Sequence, residues 1–104
     1  MPSTPEPKHL SNHHRATLLQ LFQHPTSHNI DFRDVLSLLE TVGSVEQRSD
    51  GKYAVRVAAE NELFLTRPAG KDIDVQQVVE LRKILTNAGY RTVVDEFEAK
   101  GQEI

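Results

Sequence analysis

Apolar residues recur along this chain first at helical and then at alternating spacing, and the change of period marks out its elements. Phe32, Val35, Leu36, Leu39 and Val42 stand at i, i+3, i+4, i+7 and i+10, which predicts a helix with one buried side. Asp31 precedes it as an N-cap and Gly43 follows as a stop. Upstream, Ala16, Leu18, Leu19, Leu21 and Phe22 predict a shorter helix capped by Ser11 and ended at His24-Pro25, where a proline cannot continue it. Residues 25–30 read as a connector. The first ten residues hold three prolines and no apolar period, and read as a disordered leader in which Leu10 stands isolated.

After Gly43 the period is two, the mark of strands with one buried face. Val45 to Arg48 is the first strand, and Asp50-Gly51 predicts a tight hairpin whose central residues both take positive φ. Tyr53, Val55 and Val57 then face inward, with Lys52, Ala54 and Arg56 outward. Ala58 to Asn61 reads as a turn, Leu63 to Arg67 as a third strand, and Pro68-Ala69-Gly70-Lys71-Asp72 as a loop. Asp74 and Gln77 have the form of a capping box opening a long helix, with Val75, Val78, Val79, Leu81, Leu85 and Ala88 on its apolar side and Gly89 at its end. Tyr90 to Val94 reads as a short edge strand or a packing segment, and Asp95 to Ile104 as a solvated tail.

The fold class expected from this order is α+β: an α-β-β-β-α unit with a three-stranded antiparallel sheet covered on one face by helices, plus an extra N-terminal helix. The unit spans 31–92, between the 1–10 leader with the 11–30 helix and connector, and an acidic tail at 93–104. One domain suits 104 residues, of which 38% are hydrophobic. No apolar run approaches the roughly 20 residues that cross a bilayer, and residues 1–7 have neither the charged nor the apolar region of a signal peptide. The chain has no cysteine, which excludes disulfides and thiolate chemistry and suits a reducing cytoplasm.

The net charge of −3 is unevenly spread. Residues 31–92 hold nine basic against ten acidic side chains, while residues 93–104 hold Lys100 against four acids. Any affinity for nucleic acid must therefore come from the placement of cations, because their number gives no excess. His9, His13, His14, His24 and His28 crowd the first 28 residues, but no carboxylate or cysteine completes a ligand set. They read as solvated surface residues, and no metal is expected. The serines lie in no nucleophile elbow, and Gly70-Lys71 lacks the remainder of a Walker loop. Phe22, Phe32 and Phe64 read as core.

Phe64-Leu65-Thr66-Arg67-Pro68-Ala69-Gly70-Lys71-Asp72, followed by Leu81-Arg82-Lys83-Ile84-Leu85-Thr86-Asn87-Ala88-Gly89-Tyr90, resembles the HicA-type mRNA-interferase toxins of bacterial toxin–antitoxin pairs. The resemblance covers roughly Asp31 to Tyr90. It implies a double-stranded-RNA-binding-domain-like fold, RNA as a partner and an antitoxin-like protein as another. It also locates a departure. The family's catalytic histidine lies in a Gly-Ser-His segment on the second strand, where this chain has Gly51-Lys52-Tyr53, so Tyr53 stands at the matching position. A second family histidine before the Gly-Lys loop is replaced by Pro68-Ala69. Moving the proton of a 2′-hydroxyl at cellular pH suits histidine and does not suit tyrosine, so no catalytic residue is assigned.

Lys52, Arg56, Arg67 and Lys71 are the expected RNA contacts, gathered at one end or along the rim of the open sheet. Duplex RNA is read mainly through phosphates and 2′-hydroxyls, for which placed cations suffice. Arg82-Lys83 on the last helix reads as a solvated face. The expected function is a small HicA-like RNA-binding domain without clear nuclease chemistry. The alternative is a non-catalytic protein-interaction module using the same open face. Neither a membrane partner nor a small-molecule cofactor is expected.

Overall fold

The computed structural model describes residues 10–23, 26–57 and 62–101. Among them the elements run α1 (Asn12–Leu21), α2 (Phe32–Val42), β1 (Ser44–Gln47), β2 (Lys52–Arg56), β3 (Glu62–Thr66), α3 (Val75–Asn87) and α4 (Tyr90–Gly101). The fold is α+β, with an α-β-β-β-α order preceded by an extra helix, as the periodicities predict. The leader at 1–9, the stop at His24-Pro25, the turn from Ala58 to Asn61 and residues 102–104 lie outside the described residues.

The sheet has strand order β1-β2-β3, antiparallel throughout. Its register sets Val45 opposite Val55, and Tyr53 and Val55 opposite Leu65 and Leu63, so these side chains share the inner face. Tyr53, Val55, Val57 and Leu65 are buried there. The outer face carries Glu46, Ala54 and Phe64 in one row, with Lys52 opposite Thr66 and Arg56 opposite Glu62 on either side of it. The β1–β2 turn departs from the expected two-residue hairpin. The Gly51 amide donates to the Arg48 carbonyl (3.1 Å), the Arg48 amide donates to the Lys52 carbonyl (2.8 Å), and Gly51 has φ 86°. Residues 49–51 thus form a three-residue loop closed by a left-handed glycine, and the Asp50 carboxylate accepts from the Lys52 amide (3.1 Å).

Two helices line the inner face of the sheet, α2 beside β1 and α3 beside β3, and α1 packs on both helices. Ser11 caps α1 by accepting from the His14 amide. Asp31 caps α2 by accepting from the Arg33 amide. Asp74 precedes α3 without making a side-chain cap, so the expected capping box does not form. The contact of α1 with α2 and α3 changes which residues are buried. Leu38, missing from the expected stripe, is buried, whereas Leu36 is only half-buried. Leu18, Leu21 and Phe22 complete the core, and Leu10, assigned to a disordered leader, is 2% exposed within it. On α3, Ile84 is buried and Val79 is exposed, the reverse of the expected apolar side.

The segment after Gly89 is a helix: Tyr90–Val94 packs rather than forming the edge strand that is its other expectation, and the segment from Asp95 is helical, with Asp95 and Glu96 exposed as expected of a solvated tail. Tyr90, Val93 and Val94 stand at i, i+3 and i+4, a helical spacing with too few apolar positions to show its period in the sequence. Tyr90 and Val94 are buried and α4 packs on α3, with the Arg91 guanidinium over the Phe22 ring at 5.9 Å. Among the described residues no helix is long and apolar enough to cross a membrane.

Candidate functional site

The 68–72 loop does not hang free from β3, because backbone bonds tie it to the start of α2. The Phe32 amide donates to the Lys71 carbonyl (2.7 Å), the Ile73 amide donates to the Ile30 carbonyl (2.9 Å), and Asp31 and Asp72 face each other as an isolated antiparallel bridge. One of the first-turn amides that a helix leaves without an internal partner is thereby satisfied by the loop, and a second by the Asp31 side chain. The result is a cleft of about 270 Å³ lined by residues 31–33 and 67–71.

Three cations, Arg33, Arg67 and Lys71, line this cleft against the single carboxylate of Asp31. That carboxylate is held below the ordinary carboxyl range, first by the hydrogen bond from the Arg33 amide and further by the Arg33 and Lys71 charges, with partial burial opposing. Asp31 therefore stays ionised as the cap, and a net positive lining remains. Arg67 is positioned from the inner face. It donates to the Tyr53 hydroxyl and lies over the Tyr53 ring at 5.7 Å, while the Phe32 ring meets Tyr53 edge-on at 5.5 Å. Tyr53 is 5% exposed and its hydroxyl oxygen already accepts a hydrogen bond. The lining contains no histidine or cysteine. Such a site can bind an anion, and it offers no side chain suited to shuttling a proton near neutral pH.

Of the sequence-predicted contacts, Arg67 and Lys71 share the cleft. Lys52 stands at the same end of the sheet, opposite Thr66 and on the outer face. Arg56 does not join them. It closes the far end of β2, roughly 13 Å along the strand from Lys52, and pairs with Glu62 at 3.1 Å. Sequence reasoning missed Arg33, which looks like an ordinary first-turn residue until the loop folds against it. It also missed Arg48 and Phe64. Phe64, counted among the core aromatics, is 48% exposed on the outer face. The signal was available, since Leu63 and Leu65 claim the inner face on either side.

His14 and Arg82 correct two surface assignments, whereas His13 and His28 are exposed as expected and His9 and His24 lie outside the described residues. His14 is half-buried between α1 and α2, its Nε2 3.0 Å from the Ser37 hydroxyl and its Nδ1 3.4 Å from that of Thr41. His13 Nε2 lies 3.2 Å from Asp34 Oδ1. Arg82 turns to the end of α1, donating to the Leu21 carbonyl (2.6 Å), the Gln23 carbonyl (3.2 Å) and the Thr26 hydroxyl (2.6 Å). These groups dock helices together. Among the described residues no cluster of histidine and acidic side chains has the makings of a metal site. Compared with models of protein families, with curated proteins and with solved structures, the chain finds no match.

Proposed function

We propose that this chain is a small RNA-binding domain, similar in build to the HicA-type toxins, that grips backbone phosphate at the cleft between α2 and the 68–72 loop and does not cleave. The observation that carries this reading is the convergence of Arg33, Arg67 and Lys71 on one cleft in a chain whose net charge is −3. Phosphate contacts dominate affinity for nucleic acid, and a few placed cations provide them without a basic excess over the whole chain. Binding without cleavage follows from the Tyr53 position. A buried phenol hydrogen-bonded to Arg67 stands where the resembling toxins carry their histidine, and its role here is to aim Arg67. A link to a toxin–antitoxin pair rests on the resemblance of Phe64–Asp72 and Leu81–Tyr90 alone.

The test is a salt titration with a duplex RNA of roughly 16 base pairs, the span such folds contact. Lys71→Ala and Arg67→Ala should each weaken binding and flatten the plot of log affinity against log salt by about one. Arg56→Ala, at the far end of β2 and already paired, should leave the slope unchanged. Absence of amide chemical-shift changes at 31–33 and 67–71 on adding RNA at low salt would sink the reading.

A further inference from the structure

We infer that the outer face of the sheet holds a stacking site for one unpaired nucleobase, with Phe64 as its platform and Arg48 and Lys52 as the cations that meet the adjoining phosphates. The inference rests on the RNA-binding reading and narrows it to RNA with an unpaired stretch. Phe64 is 48% exposed, and opposite it on β2 stands the small Ala54. The Arg48 guanidinium lies over the ring at 5.7 Å, occupying the position of a second flat group. Arg48 is only loosely held, since its ion pair with Glu46 is 3.8 Å long and both side chains are at least half exposed. Lys52 has no ion pair among the described residues, and Asp50 beside it is engaged by the Lys52 amide. Together Arg48, Asp50, Lys52 and Phe64 line a shallow cleft of about 240 Å³.

A lone aromatic ring between two cations selects a flat, anionic ligand, because every base offers a face to stack while its phosphate meets the cation. A protein partner would need a broader apolar patch, and Phe64 is flanked on this face by the charged Glu46, Arg48, Lys52, Arg56 and Glu62. The phosphate cleft begins just past the end of the same strand. Arg67 lies three residues beyond Phe64, roughly 10 Å along the strand, and Lys52 sits opposite the intervening Thr66. A single strand of two or three nucleotides spans that distance.

The experiment measures binding of three RNAs to the full chain: a blunt duplex, the same duplex closed by an unpaired loop, and a single strand carrying 2-aminopurine, whose fluorescence is quenched on stacking. Phe64→Ala should weaken the looped and single-stranded RNAs by about tenfold, abolish the quenching and leave the blunt duplex unchanged. Phe64→Trp should restore both affinity and quenching, and unchanged melting of both variants excludes a folding defect. If Phe64→Ala binds all three RNAs like the wild type while Lys71→Ala still weakens the duplex, the inference is wrong and the cleft reading stands. If Phe64→Ala loses the single strand while Lys71→Ala changes nothing, the stacking site stands and the cleft reading fails. Wild-type protein that binds none of the three overturns both.

Discussion

Gly43 and Asp31 bound α2, and each fixes a different end of the helix by a different force. At Gly43 the constraint is steric. A β-carbon there would lie 2.0 Å from the Arg56 carbonyl oxygen, and neither backbone has a flexible group that can yield. Gly43→Ala should therefore destabilise the protein by about 3 kcal/mol, seen as a lowered denaturant midpoint, whereas Gly70→Ala, with nothing within 4 Å, should not. At Asp31 the constraint is electrostatic. Because the Arg33 amide and the neighbouring cations hold its folded pKa below the ordinary 3.8, the ionised cap contributes stability fully above that value, and the contribution is lost as pH falls through the lower folded pKa. Melting curves of wild type and Asp31→Asn should accordingly separate above the ordinary carboxyl range and converge as pH falls below it. Parallel curves across that window would show that the charge has no part in the cap. Legibility at this scale was partial: both residues are apparent from the sequence as boundaries of a helix, but the close approach of Arg56 to Gly43 is a contact between distant segments.

Helices α2 and α3 and the three strands were legible because each carries its own period: Phe32, Val35 and Leu39 repeat every turn, and Tyr53, Val55 and Val57 alternate. The attachment of α1 was not. Its docking depends on Arg82, which stands 61 residues from Leu21 in the chain, and on His14, whose partners Ser37 and Thr41 carry no distinctive spacing. Arg82 serves as an added cap, satisfying the carbonyl at the end of α1 with a cation where the helix dipole favours one. Arg82→Ala should cost about 2 kcal/mol and raise amide hydrogen exchange in Asn12–Leu21 more than in α2. Arg82→Lys should recover little, because the planar fork reaches two carbonyls and a hydroxyl that a single ammonium does not. Uniform exchange across both helices in the alanine variant would mean that α1 does not depend on the clamp. Helix α4 escaped notice for a related reason: Tyr90-Arg91-Thr92-Val93-Val94 has too few apolar positions to show its period before α3 and Phe22 provide a surface to pack against.

Across the whole molecule, charge total and charge placement separate. The chain is acidic by three charges, yet the fold assembles Arg33, Arg67 and Lys71 on one cleft and sets Lys52 on the same end of the sheet. Two of the four expected contacts share that cleft because Arg67 and Lys71 flank one loop, a proximity visible in the sequence. Arg56 is excluded by strand register, which places it a full strand length from Lys52 and beside Glu62. From the sequence alone come the α+β order, the caps at Ser11 and Asp31 and the inner face of the sheet, since all are encoded in spacing or identity within a few residues. Only tertiary structure decides that the loop closes on α2 to build a cleft, that the Tyr53 hydroxyl is occupied by Arg67, and that Phe64 faces solvent beside Arg48. Those outcomes depend on register and on backbone bonds between Phe32 and Lys71, pairings of residues far apart in the chain that no local period records.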